Sequence, residues 1–406
     1  MLTQPKEVGL SSERLGRIDQ HLKQRYLDSK KIAGALTLVA RRGGIAYFSP
    51  VGMMDLERGK PMSQDTIFRI YSMTKPITSV ALMMLYEHGH FQLNDPVHKF
   101  IPEWRDLCVY LSGNYPNFLT TRTERPMTIL DLMTHTSGLT YGFMERTNVD
   151  AAYRKLDIGG VGSGDTLREM IEKLAGLPLE FSPGTRWNYS VSTDVLAYLV
   201  EVISGMRFDE YLKTKIFEPL KMNDTDFWVP PEKLDRFAAN YSRRPDKSLQ
   251  LEDDPVTGLF TRPATFFSGG GGLVSTASDY FRFCQMLLNG GALEGVRILG
   301  CKTIELMTMN HLPQGQDLMD LSVSPFTQTA TQGFGFGLGF SIHLGSARSQ
   351  IIGSPGEYAW GGAASTVFWI DPVEDLIVIF LTQFMPDGTF NFRGQLKTLI
   401  YPAIID

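Results

Sequence analysis

Strand-like runs sit at the two ends of this chain, and the long middle reads as helix and loop. That placement limits the fold more than any single motif does. Near the start, Ala35-Leu-Thr-Leu-Val-Ala40 and Ile45-Ala-Tyr-Phe48 are joined by Arg41-Arg-Gly-Gly44, whose paired glycines suit a hairpin turn. Near the end, Thr366-Val-Phe-Trp-Ile370 and Leu376-Ile-Val-Ile-Phe-Leu-Thr382 flank a turn at Asp371-Pro-Val-Glu-Asp375. Strands at both ends with helices between predict a sheet domain built from both termini with a helical domain inserted. We place the sheet-containing α/β domain at 1–75 and 265–406, and the mainly helical insertion at 76–264. Gly333-Phe-Gly-Phe-Gly-Leu-Gly-Phe340 alternates glycine with large apolar residues at period two, which predicts one more strand, closely approached by backbone on its glycine face.

Helical periodicity predicts an amphipathic helix over 10–29, with Leu15, Ile18, Leu22 and Tyr26 on its apolar face. Further helices are expected over 74–87, 128–133, 166–175, 192–204 and 277–288, with Gly205 and the turn at 176–178 as stops. The stretches 109–124 and 144–164 read as long loops, where substrate-shaping segments sit. The run Ser268-Gly-Gly-Gly-Gly-Leu-Val-Ser-Thr276 lacks both phosphate-binding spacings, so close backbone packing explains its glycines better.

Composition narrows the classes. With 43% hydrophobic and 20% charged residues the chain is of the soluble globular type, and it is long enough for a large core. A net charge of −5 with no block of like charges gives no electrostatic basis for nucleic acid or an anionic membrane as partner. Cys108, Cys284 and Cys301 have no CxxC spacing and read as buried thiols in a reducing compartment. With no signal-like N-terminus and no apolar run of membrane-spanning length, the expected location is cytoplasmic. His88 and His90 form a His-x-His pair, but no Cys, Asp or Glu stands at ligand spacing nearby; no metal and no cofactor is expected.

One polar pair stands out against this background. Ser72 and Lys75 lie three residues apart where an extended run meets the helix of residues 74–87, which puts the ammonium within reach of the hydroxyl. The helix N-terminus beside Ser72 favours an ionised hydroxyl and a neighbouring oxyanion. The spacing is of the kind a chain this long shows about once by chance, and no other serine has a lysine three residues on. An acylating serine also needs a base. His135, in Thr134-His-Thr-Ser-Gly138, is the candidate for a Ser-His-Asp reading, although a capping role suits its turn better. The nucleophile elbow Gly-x-Ser-x-Gly is absent. The alternative base is a lysine–tyrosine pair, both held at depressed pKa by contact and burial, with Tyr189 as the tyrosine.

Ser72-Met-Thr-Lys75, Tyr189-Ser-Val191 and Trp360-Gly-Gly362 stand in the order and near the spacing of the three motifs of serine β-lactamase-like proteins. The chain resembles most closely the family VIII carboxylesterases, relatives of class C β-lactamases and D,D-peptidases. Leu132-Met-Thr-His-Thr-Ser-Gly-Leu139, Pro183-Gly-Thr-x-Trp-x-Tyr-Ser190 and Gly270-Gly-Gly-Leu-Val-Ser-Thr276 add to the likeness, which runs from about Ile32 to Thr382. The resemblance implies an α+β fold with an antiparallel sheet flanked by helices. It implies Ser72 as nucleophile, Lys75 as its activator and Tyr189 as general base, then acid. The backbone N–H groups of Ser72 and Ala363 would form the oxyanion hole, and Trp360, Gly361 and Gly362 would line the substrate.

Two departures bear on the substrate. Val191 stands where class C β-lactamases carry asparagine, and Trp360 stands where they carry the lysine that helps bind the β-lactam carboxylate. An indole in place of a cation favours uncharged esters of small to medium acyl groups over anionic β-lactams. The expected activity is therefore a serine carboxylesterase acting on a small-molecule ester, with weak β-lactam hydrolysis as an extension. An acyltransferase sharing the acyl-enzyme, a β-lactamase or D,D-peptidase, and a catalytically silent binding protein are the alternatives.

Overall fold

The computed structural model describes residues 2–323 and 332–406. Strands β1 (Gly34–Arg41) and β2 (Gly44–Asp55) form the N-terminal hairpin. Its two turn residues, both at positive φ, are Arg42 (φ +51) and Gly43 (φ +76); Gly44 already belongs to β2. A turn of that shape matches the right-handed twist of the strands it joins. The short strand β3 (Lys60–Pro61) follows. From the other end come β4 (Phe334–Phe336), β5 (Ser341–His343), β6 (Tyr358–Gly362), β7 (Thr366–Asp371) and β8 (Leu376–Thr382). All eight make one antiparallel sheet in the order β4-β5-β6-β7-β8-β1-β2-β3. The two chain ends meet at its centre, where Leu38 lies opposite Ile379 and Val39 opposite Val378.

Both faces of these central strands are buried, and the pleat deals their side chains to two cores. Leu36, Leu38, Ile377 and Ile379 enter the larger core, with Val80 and Met83 of α1 (Thr74–Glu87), Leu199 of α2 (Ser192–Ser204) and Phe283 of α3 (Ala277–Leu288). Val39, Val378, Phe380 and Trp369 enter the smaller one, closed by Ile18 and Leu22 and by Leu396 and Ile400 of α4 (Phe392–Ile400). The site described below lies where α1, α2 and the end of β6 converge.

Several elements differ from the sequence expectation. The helical path over 10–29 is broken at Gly16 into Ser12–Leu15 and Arg17–Leu22, and it ends in a π turn, Lys23–Leu27. Residues 109–124 form not a loop but a hairpin, Cys108–Asn114 against Asn117–Arg122. Most of its side chains are exposed, so no buried face imposes an alternating pattern. The stretch 144–164 contains a helix, Asn148–Lys155, opened by a capping box between Thr147 and Asp150. The glycine alternation at 333–340 yields only β4 before the chain turns back through Gly339 (φ +98) into β5. Of the cysteines, Cys284 alone is buried; Cys108 is half-buried and Cys301 exposed. His88 and His90 lie exposed beyond the end of α1. Among the described residues no helix is long and apolar enough to cross a membrane.

Candidate active site

A short strand, Phe68–Arg69, pairs with Val274–Ser275 and delivers the chain to a single 3₁₀ turn, Tyr71–Met73, that runs into α1. Ser72 sits in that turn. Tyr71 before it adopts φ +41, a left-handed conformation that costs a non-glycine residue on the order of 1–2 kcal/mol. Packing holds it there. The Tyr71 ring meets Phe260 edge-on at 5.9 Å, and its hydroxyl accepts from Asn240 Nδ2 at 3.2 Å. Arg69 is fixed from behind: Nε donates to Asp253 Oδ2 at 2.6 Å, Nη1 to Ala238 O at 2.6 Å, and the guanidinium lies 4.0 Å from the Phe237 ring centre. The Ser72 turn is thus anchored on the side away from the cleft.

Lys75, in the first turn of α1, is 2% exposed. Its Nζ lies 3.2 Å from Ser72 Oγ and donates to Gly270 O at 2.6 Å. Nζ also sits 4.4 Å from the Tyr189 ring centre and 5.3 Å from that of Tyr141. Burial pulls its pKa down to about 7, against the field of Asp194, which holds it up. Tyr189, just ahead of α2 and 8% exposed, donates its hydroxyl to Ser72 Oγ at 2.6 Å. Burial raises the Tyr189 pKa, partly offset by hydrogen bonds with Ser72 and Trp360. The expectation that both pKa values fall is therefore corrected. Desolvation disfavours whichever form is charged, so the same burial strips a proton from an ammonium and keeps one on a phenol.

The third segment arrives on β6. A Cβ added at Gly362 would overlap Ile70 O and Thr366 Oγ1, so only glycine lets the strand close on the turn that carries Ser72. That contact joins the backbones bearing Ser72 and Ala363. Trp360 is half-buried, its ring 5.6 Å from Tyr189 and 5.4 Å from Phe336.

His135 lies elsewhere. Its ring packs 5.0 Å from Tyr189 and 5.8 Å from Trp187, and Nδ1 meets Ser190 Oγ at 3.2 Å. Burial holds its pKa well below the ordinary histidine value, so it is a neutral backing for the Tyr189 ring. Val191 is fully buried in the larger core.

Three residues near the site were not singled out from the sequence. Asp194, in the first turn of α2, reads as an ordinary partner of the helix dipole, yet its Oδ1 accepts from Ser268 Oγ at 2.6 Å and Gly270 N at 2.9 Å. Tyr141 lies two residues beyond the His-Thr-Ser-Gly-Leu stretch and stacks on Phe143 at 4.6 Å. Arg393, on α4, places Nη2 3.3 Å from where a Cβ on Gly361 would stand. A cation therefore does reach this strand, from a part of the chain that none of the motifs covers.

A family model described as Beta-lactamase matches residues 18–400. Protein Rv1367c of Mycobacterium tuberculosis is 36% identical over 363 residues, covering 89% of this chain and 88% of that protein. Esterase EstB of Burkholderia gladioli is 30% identical over 410 residues, covering 95% of this chain and 93% of the esterase. The solved structure of EstCE1, described as a hydrolase with promiscuous acyltransferase activity, superposes with a TM-score of 0.81 at 25% identity and covers 96% of this chain and 99% of that one.

Proposed function

Because the chain belongs to the Beta-lactamase family, we propose that it is a serine carboxylesterase that hydrolyses small to medium acyl esters through an acyl-enzyme on Ser72. One observation carries this reading: Ser72 Oγ is held between the Tyr189 hydroxyl at 2.6 Å and a buried Lys75 amine at 3.2 Å. Above pH 7 that amine is largely free, and its lone pair is the strongest base beside the serine. Ser72 Oγ attacks the ester carbonyl carbon and passes its proton to Lys75 Nζ. The carbonyl oxygen becomes an oxyanion facing the backbone N–H groups of Ser72 and Ala363. On collapse the C–O bond to the alcohol breaks, Tyr189 protonates the departing alkoxide, and the proton on Lys75 restores Tyr189. Water then attacks the acyl-enzyme with the proton steps reversed, releasing the acid and Ser72. In this scheme Tyr189 is the acid of the first half-reaction, and Lys75 the base.

Trp360, beside Tyr189, gives the acyl site an aromatic wall and favours neutral esters over β-lactams. The test is labelling of folded protein with a fluorophosphonate, followed by peptide mass analysis. Ser72 is expected to carry the label, and an unlabelled Ser72 rules the enzyme out. Turnover of a short-chain nitrophenyl ester against a cephalosporin then fixes the class: the ester should be the faster substrate, and the reverse order makes the protein a β-lactamase. Acyl transfer is the second reading, favoured by the description of EstCE1. Added alcohol that diverts acyl product from acid to new ester would establish it.

A further inference from the structure

The glycine run at 269–272 crosses between α1 and α2, and it is held there by side chains from both helices. Thr78 Oγ1, one turn beyond Lys75 on α1, donates to Gly269 O at 2.8 Å. Asp194 Oδ1 on α2 accepts from Gly270 N at 2.9 Å. The peptide between residues 269 and 270 is thus gripped at both its polar atoms, and the next carbonyl, Gly270 O, receives Lys75 Nζ at 2.6 Å. A Cβ on Gly269 would come within 2.7 Å of Ala197 Cβ and Thr193 O; one on Gly270 would come within 2.6 Å of Asp194 Oδ2. The fit leaves no slack for that carbonyl to drift. Asp194 is fully buried, and its Oδ2 has no hydrogen-bond partner among the described residues.

We propose that Asp194 is a positioning residue for Lys75, holding the Gly270 carbonyl on the lysine amine and supplying the carboxylate that faces it across the glycine run. Resting on the reading of Lys75 as the base, this assigns the site a fourth group beside Ser72, Lys75 and Tyr189. An amine that must accept a proton needs its lone pair aimed at Ser72, and a fixed acceptor for one of its N–H bonds sets that aim. Removing the carboxylate has a second, electrostatic consequence. The groups facing Lys75 are Ser72 on the preceding turn, Tyr189 and Tyr141, both kept neutral by burial, the neutral His135 behind them, and Asp194 from α2. Among these Asp194 is the one carboxylate: burial raises its pKa, the field of Lys75 and the hydrogen bonds from Ser268 and Gly270 pull it back down, and its own field in turn favours the ammonium. Asp387 acts on Tyr189.

The experiment follows the rate of Ser72 phosphonylation by a fluorophosphonate against pH, in the full-length protein. Asp194→Asn keeps an oxygen to accept from Ser268 and Gly270 but removes the charge. The acidic limb of its rate profile is expected to move to lower pH by about one pH unit, the scale of one charge in a partly screened interior. Asp194→Ala also removes the grip and should lower the plateau at least about tenfold. Thr78→Val, which releases the other end of the same peptide and leaves the carboxylate in place, should lower the plateau without moving the limb. A merely structural role for Asp194 leaves the limb of Asp194→Asn where the wild-type limb stands, and that result overturns the proposal. So does a Thr78→Val plateau equal to the wild type, which a misfolded Asp194 variant could not obscure. A wild-type protein that is not phosphonylated overturns the base reading and this inference together. A labelled wild type with an unmoved Asp194→Asn limb overturns this inference alone.

Discussion

Two lysines are buried among the described residues, and they are buried in opposite ways. Lys397, on α4 and 0% exposed, meets both oxygens of Glu357, with Oε2 at 2.6 Å; Tyr401 bridges the same carboxylate at 2.6 Å to Asp371 at 2.7 Å. Lys75 has no carboxylate in hydrogen-bond contact among the described residues, only a carbonyl, a hydroxyl and two aromatic faces. Burial lowers both pKa values, but at Lys397 the field and hydrogen bond of Glu357 oppose it directly. A buried ammonium beside its own carboxylate is a strut. One whose contacts are all neutral is, in the proposed mechanism, a proton acceptor, and Asp194 acts on it through its field rather than by contact.

The sharpest way to break this contrast is to replace each lysine by methionine. Lys75→Met should cost about 10³–10⁴-fold in ester turnover, the upper range for loss of a general base. Above pH 7, where the amine is largely neutral, its melting temperature should equal or exceed that of the wild type, because an apolar chain replaces an amine with no carboxylate in contact. Lys397→Met should do the reverse. Leaving Glu357 buried and unpaired costs roughly 3–5 kcal/mol of stability, while turnover per folded molecule stays within about threefold. Calorimetry with active-site titration checks both, and a Lys75→Met protein that is destabilised but active would undo the distinction. The next effect in size is at Tyr189. Tyr189→Phe removes the donor to Ser72 and, in the proposed mechanism, the proton for the leaving alcohol, and should lower turnover about 10²-fold. Because the loss falls on the leaving group, esters of acidic phenols should suffer less than alkyl esters. Near-wild-type turnover of alkyl esters would return attention to His135.

The sequence made one half of this contrast legible. Ser72, Lys75, Tyr189 and Trp360 stand in short ordered motifs, and the structure brings all four together. The helices over 74–87, 192–204 and 277–288 were readable because apolar periodicity and termini agree, as at Thr276, whose side chain accepts from Asp279 N. What escaped depends on depth and distance. An aspartate in a first helical turn looks the same whether it faces water or, like Asp194, a glycine run some 75 residues away in sequence. Arg393 lies beyond all three motifs, and only the closing of α4 over the sheet brings it to Gly361. The direction of the Tyr189 shift was misread for a related reason: contact with a cation lowers a phenol's pKa, and burial raises it, and only the structure shows that burial dominates.

The smallest expected effect tests the contrast through pH. Lys75 has its pKa lowered to about 7, and in the proposed mechanism it is the free amine that accepts the serine proton. Turnover at limiting substrate should therefore rise about tenfold per pH unit below 7 and level off above it. No descending limb should follow through the range where an ordinary tyrosine ionises, since burial holds the Tyr189 proton beyond it. The same group leaves a mark on stability, with the sign fixed by where the protons are. Between about pH 7 and the ordinary lysine pKa the unfolded chain binds a proton at this position that the folded chain does not. Stability contributed by this group therefore increases with pH across that window, by up to about 1.4 kcal/mol per pH unit. Lys75→Met should flatten that slope and abolish the rate limb, whereas Lys397→Met, for all its loss of stability, should leave the limb at pH 7. A rate limb that follows Lys397 instead of Lys75 would show that the strut, not the acceptor, controls the chemistry.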